Sequence, residues 1–325
     1  MRKFLSVLLA MAMVLSLTVT SFAADTAADA KAEMAGKTVI LHTNDVHGAV
    51  EGYAYIAQLK ADYEAKGAEV ILVDAGDFSQ GTTYVSSTKG ADAVTMMNAA
   101  GYDVVTLGNH EFDYGYAQLK ENMSKAKFKV VCADVFNEDG TPIFDASYTY
   151  TTKSGVKVGF FGMETPETQT KANPALMKGL SFIGGKDLYK VTQENVDMAR
   201  SEGNADIVIA LGHLGVDKSS EPNCSYNVMQ NVKGIDLFID GHSHTVMTAS
   251  KDNSMVQSTG TGLAYVGAII IDNATKSIES NGLIDLSAYT KEDATVKAAA
   301  DKIISDINAE YGKVFARTDV ELNGD

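Results

Sequence analysis

Five short strings place Asp, Asn or His where an apolar run gives way to a loop. They are Asp45-Val46-His47, Gly76-Asp77, Gly108-Asn109-His110-Glu111, Gly212-His213 and Gly241-His242-Ser243-His244. The chain has six histidines, and five of them fall in these strings. Imidazole, carboxylate and amide oxygen converging from several loops are the donors of a hydrolytic metal site. No thiolate is among them, so Zn, Mn, Fe or Co fits better than a soft ion. One centre would use three or four ligands. The seven side chains Asp45, His47, Asp77, Asn109, His213, His242 and His244 suffice for two divalent metal ions if one carboxylate bridges. Each string alone is weak, because Gly-Asp is a common turn and a lone strand-end His is more often structural. The ordered set carries the weight. His42 lies inside its apolar run and is expected to be structural.

Elements must bring these strings together. Apolar runs at 38–41, 70–73, 104–107, 128–132, 207–211 and 237–240 read as buried strands. Helical spacing over 55–66, 91–100, 116–127 and 187–203 separates several of them. The early β-α-β-α order predicts an α/β fold with buried parallel strands. Ligands in such folds sit at the carboxyl ends of the strands, so all five strings could meet on one edge. Segments 147–152 and 156–162 are expected to pair through the turn at Lys153-Ser154-Gly155. Segments 255–258, 264–272 and 277–286 are expected to form a second, mainly antiparallel sheet. Two stacked sheets with helices outside would bury both. A last helix is expected over 293–315, where Val296, Ala300, Ile303, Ile307, Tyr311 and Val314 recur every three or four positions.

Composition bounds the function. The 325 residues are 45 % hydrophobic and 21 % charged, ordinary for a soluble globular protein. Arg2 and Lys3, an apolar stretch from Phe4 to Val19 and Ser21-Phe22-Ala23 have the form of a secretory signal peptide over 1–23. No Cys stands at the cleavage site, so a lipoprotein is not expected, and no later segment is long and apolar enough to span a membrane. Export to the periplasm or beyond the cell is the expectation. Loss of the signal removes two positive charges and moves the formal charge from −15 to −17. That acidity argues against a nucleic-acid polymer as partner. It leaves a phosphate substrate open, because bound metal reverses the field locally. Residues 24–36 read as a flexible leader. Cys132 and Cys224 are left open between a disulfide and two free thiols.

The ordered strings are similar to those of the calcineurin-like metallophosphoesterases. The surrounding sequence narrows the resemblance to the 5′-nucleotidase family: Ile40-Leu41-His42-Thr43-Asn44-Asp45-Val46-His47-Gly48, Gly76-Asp77 with Gln80-Gly81, and Gly108-Asn109-His110-Glu111-Phe112-Asp113-Tyr114-Gly115. The resemblance runs from Lys37 to Phe315 and implies a four-layer α/β/β/α sandwich. It implies one metal held by Asp45, His47, Asp77 and His244, and a second held by Asp77, Asn109, His213 and His242. Asp77 would bridge, and His110 and Asp113 would be the catalytic pair. The implied activity is hydrolysis of small phosphoesters, foremost nucleotides, by a water activated between the metals. A 2′,3′-cyclic phosphodiesterase or nucleotide-sugar hydrolase on the same site is one alternative. A non-catalytic extracellular metal-binding domain is another, against which His110 and Asp113 argue. The resemblance also implies a catalytic domain over 37–289, with 290–325 leading towards a C-terminal substrate domain.

Overall fold

The computed structural model describes residues 33–314 and 317. The expected signal peptide, residues 24–32 of the leader, and 315–316 and 318–325 of the expected link lie outside the described residues. The strands are β1 (Lys37–Thr43), β2 (Glu69–Asp74), β3 (Val104–Val105), β4 (Lys129–Val130), β5 (Val135–Asn137), β6 (Ser147–Thr151) and β7 (Lys157–Glu164). They continue with β8 (Leu180–Phe182), β9 (Ile207–His213), β10 (Leu237–Asp240), β11 (Val246–Met247), β12 (Val256–Thr259), β13 (Tyr265–Asp272) and β14 (Ser277–Asp285). The α-helices are α1 (Gly52–Ala65), α2 (Thr83–Ser86), α3 (Ala91–Ala100), α4 (Tyr116–Met123), α5 (Thr168–Lys171), α6 (Lys186–Ser201), α7 (Ser225–Asn231) and α8 (Ala294–Tyr311).

Two six-stranded sheets stack. One has the order β14-β13-β1-β2-β3-β4 and the other β11-β12-β10-β9-β7-β6. β1 to β4 are mutually parallel, as are β7, β9, β10 and β12. Strand side chains alternate between faces, and here both faces are covered. In β1, Ile40 enters the core between the sheets, while Val39 and Leu41 pack under helices α1, α3 and α8. In β9, Ile207, Ile209 and Leu211 face the other sheet, and Val208 and Ala210 pack towards α6 and α7. The unbroken apolar runs follow from this double burial. The result is the expected four-layer α/β/β/α sandwich.

The late strands differ from expectation. Residues 255–286 do not make a sheet of their own. β12 lies parallel beside β10, whereas β13 and β14 extend the first sheet antiparallel to β1. β13 has two apolar faces: Ile269 and Ile271 belong to the inter-sheet core, and Val266 and Ala268 to the helix side. It therefore takes a place within a covered sheet. The strand expected over 104–107 is paired at Val104–Val105, and the one over 128–132 at Lys129–Val130, with an isolated bridge from Val131 to Asp145. The helix expected over 116–127 ends at Met123. α8 begins after Asp293, whose carboxylate accepts the N–H groups of Thr295 and Val296 as an N-cap.

Candidate metal centre

The carboxyl ends of β1, β2, β3, β9 and β10 converge, and each carries one of the five strings. His213 is the last residue of β9 rather than the first of a loop. The turns are tight and unusual. Asp45, His47, Asp77, His242 and His244 all have positive φ, between 47° and 74°. Each such residue costs on the order of 1 kcal/mol or more. Fixed backbone contacts hold the strain: Asp45 N–H donates to Gly76 O at 2.9 Å and His47 N–H to Asp77 O at 3.0 Å. Gly241 has no room for a side chain, because a Cβ would lie 2.7 Å from His213 Nδ1 and 2.9 Å from Asp45 Oδ2.

Three groups of ligand atoms form, each within 4.8 Å: Asp45, His47 and His244; Asp45, Asp77 and His213; and His47, Asp77 and His110. Asp45 and Asp77 are shared between groups and nearly inaccessible. His213 Nε2 lies 3.0 Å from Asp77 Oδ2 and 3.8 Å from Asp45 Oδ1. His244 Nε2 lies 3.4 Å from Asp45 Oδ1, and His47 Nε2 lies 3.8 Å from Asp77 Oδ2. Asn109 and His242 form a separate pair beside them, with Asn109 Oδ1 2.8 Å from His242 Nδ1.

These donors fit a cation. His213 Nδ1–H donates to Ala75 O at 2.7 Å, which leaves Nε2 with a lone pair. That buried nitrogen makes no hydrogen bond. His47 Nδ1–H likewise donates to Gln80 O at 3.1 Å, so its Nε2 lone pair faces His244 Nε2 at 3.1 Å. Two nitrogens this close, beside two carboxylates, are relieved by a positive ion between them. Burial lowers the pKa of both His47 and His242, which favours the neutral form that ligates. Burial works against charge on His213 as well, but Asp77 and Asp45 outweigh it and raise its proton affinity well above the ordinary value. Burial also opposes the Asp77 carboxylate, yet His213, His110 and His47 hold it below the usual range.

His110 stands at the rim. Its ring meets the His47 ring edge-on with centroids 5.3 Å apart, and its Nδ1 lies 2.7 Å from Asp113 Oδ2. Burial opposes its charge, but the Asp113 hydrogen bond and the Asp77 field raise its pKa overall. His42 is fully buried within β1 and accepts a hydrogen bond from Gln257 Nε2 at 2.9 Å. Burial lowers its pKa to about 3, so it stays neutral. Cys132 and Cys224 are free thiols.

Several residues of this edge were not singled out from sequence. Glu111 lies within one of the five strings, but its spacing there points to no role. Its Oε2 accepts N–H groups from Asp77 and Gly108, and its Oε1 accepts those of Phe78 and Ser79. Burial and the Asp77 charge push its pKa up to about 7, while the backbone donors favour the carboxylate. Glu111 thus ties the loop after β2 to the turn after β3. Glu111→Ala would strand four buried donors, each costing about 1–3 kcal/mol. The expected loss of stability is at least about 3 kcal/mol, read by denaturant unfolding. A loss below about 1 kcal/mol would contradict the clamp. Glu164, the last residue of β7 and paired with His213, and Glu167, just beyond it, also reach the site, and no histidine marks them in the sequence.

The fold and the donor cluster define a metallophosphoesterase. The family pattern of calcineurin-like phosphoesterases matches residues 38–246, and the chain belongs to that family. A snake venom 5′-nucleotidase of Gloydius brevicauda is 29 % identical over 329 residues, covering 88 % of this chain and 54 % of that protein. The trifunctional nucleotide phosphoesterase protein YfkN of Bacillus subtilis is 26 % identical over 88 % of this chain and 22 % of its own length. The crystal structure of the calcineurin-like phosphoesterase YfkN superposes with a TM-score of 0.73 at 23 % identity, over 85 % of this chain and 99 % of that one. The chain spans about half the length of the snake venom relative.

Proposed function

We propose that this domain hydrolyses small phosphoesters, with nucleotides as the substrate class. The observation that carries the proposal is the meeting of Asp45, His47, Asp77, His213 and His244 beside the His110–Asp113 pair. The names of the relatives support nucleotides as the class. Two divalent ions, when bound, would lower the pKa of a water and oppose the charge of the phosphoryl oxygens. Asp45, His47, Asp77 and His244 would hold one ion, and Asp77, Asn109, His213 and His242 the other. His47 Nδ1–H and His213 Nδ1–H, tied to carbonyls, keep the opposite nitrogens free to ligate. His110, oriented through Nδ1 by Asp113, presents Nε2–H to a phosphoryl or leaving oxygen.

The test is hydrolysis with Mn, Zn or Co, read as phosphate release from AMP and UMP, as nucleotide monophosphate formed from 2′,3′-cyclic AMP and UDP-glucose, and as chromophore release from a chromogenic phosphodiester. Release from the nucleotides, lost in His110→Ala, is expected. Turnover of the chromogenic diester alone would mean an intact site without nucleotide recognition, and turnover of 2′,3′-cyclic AMP in preference to AMP and UMP would favour the cyclic phosphodiesterase alternative. Two bound metals without any turnover would favour the non-catalytic metal-binding domain.

We also propose export, with 1–23 as the signal, 24–36 as a leader, 37–289 as the catalytic unit and 290–325 leading to a further domain. Among the described residues no helix is long and apolar enough to cross a membrane. N-terminal sequencing of protein recovered outside the cytoplasm should begin at Ala24. Recovery of uncleaved chain from the cytoplasm alone would refute export.

A further inference from the structure

The five strings leave the ends of three parallel strands unused, those of β4, β7 and β12, and of these β7 pairs directly with β9, which carries His213. β7 lies between β6 and β9 in the second sheet, and the chain after it runs Thr165-Pro166-Glu167 into α5. Glu167 Oε2 there reaches His242 Nε2 at 3.3 Å. The contact joins residues 75 positions apart. His242 is nearly buried, and its other nitrogen faces Asn109 Oδ1 at 2.8 Å. The two contacts determine the imidazole between them. A carboxylate can only accept, so Nε2 carries the proton and donates to Glu167. Nδ1 then keeps its lone pair and faces an amide oxygen, acceptor against acceptor, which a cation between them relieves.

The same pattern recurs at the other two histidines whose outer nitrogens are engaged. His47 donates its outer nitrogen to Gln80 O, and His213 donates its own to Ala75 O. At His242 the acceptor is a charged side chain rather than a carbonyl. We propose that Glu167 is a positioning residue, holding His242 as the Nε2–H tautomer so that Nδ1 faces Asn109 and the second metal position. This rests on the reading above that a divalent ion binds between His242 and Asn109.

A competing role lies close by. Lys171 Nζ is 3.4 Å from the same Oε2, one helical turn along. An exposed pair of this kind contributes little, and it needs the charge of Glu167, whereas the hydrogen bond from His242 needs only an oxygen acceptor. Glu167→Gln therefore separates the two, because it keeps an acceptor and loses the charge.

The experiment is titration of the metal-free full chain with Co²⁺, followed by calorimetry and visible absorption. The ring tautomers of the Zn²⁺-loaded protein are read by long-range ¹H–¹⁵N correlation. Wild type should bind two equivalents and show His242 as the Nε2–H tautomer. In Glu167→Ala the second site should weaken about 10–100-fold, with the first retained, and Glu167→Gln should recover most of that loss. A wild type that takes up no second ion would remove the reading on which the inference rests. Two equivalents with unchanged second affinity in Glu167→Ala would overturn the inference itself. Equal weakening in both variants would assign the effect to charge and also overturn it. If Glu167→Ala does not fold, the wild-type spectrum decides: His242 carrying its proton on Nδ1 refutes the proposal.

Discussion

Asp77→Asn is expected to abolish hydrolysis and to weaken both metals at once. Asp77 belongs to two of the three donor groups. Its Oδ1 accepts the His110 N–H at 2.9 Å, and its Oδ2 lies 3.0 Å from His213 and 3.8 Å from His47. Asparagine has nearly the same shape and can keep Oδ1 on the His110 N–H. What it removes is the negative charge, and it turns an N–H₂ group towards the His213 lone pair. The local backbone should survive, since Asp77 N–H is held by Glu111 and not by its own side chain. The expected loss in kcat/KM is at least about 10³-fold, beyond that of one missing hydrogen-bond donor. Metal content after dialysis should fall below one equivalent. A variant that retains two equivalents and more than about a tenth of the wild-type rate would show that Asp77 does not bridge.

The sequence discloses donors better than it discloses what holds them. The strands that carry the strings are legible because each is an apolar run buried on both faces. Gly76, Gly108 and Gly241 mark the turns between run and donor. The partners of β13 were not legible. Periodicity reports that Ile269 and Ile271 are buried, but not that they lie against β1, whose Lys37 pairs with Asp272 across the sheet. Glu111 was visible as a letter and invisible as a clamp, because its four donors come from two separate loops. Glu167 had no local signal at all. It follows a strand that reads as half of a hairpin with 147–152, and only the parallel pairing of β7 with β9 brings that strand's end beside His213. Acceptors fixed by tertiary structure leave no spacing to read. Ligands grouped as Asp-x-His or His-x-His do.

His110→Ala should separate catalysis from metal binding. His110 is the ambiguous member of the cluster, since it falls within 4.8 Å of ligand atoms of His47 and Asp77. Two arrangements are therefore open to it: a metal ligand, or a donor to the substrate. The contact with Asp113 favours the donor. Nδ1 is engaged by a carboxylate at 2.7 Å, and the combined fields of Asp113 and Asp77 overcome burial and favour the protonated ring. A protonated imidazole has no lone pair for a metal, but it can stabilise a phosphoryl oxygen or protonate a leaving one. Removing it should cost about 10²–10⁴-fold in kcat, the usual span for a general acid, with KM changed much less. Both metal equivalents should remain. Asp113→Asn should give a smaller loss in the same parameter, because it disturbs the orientation of the ring without removing it. Loss of a metal equivalent in His110→Ala would make His110 a ligand, and the proposed division of labour at the rim would fail.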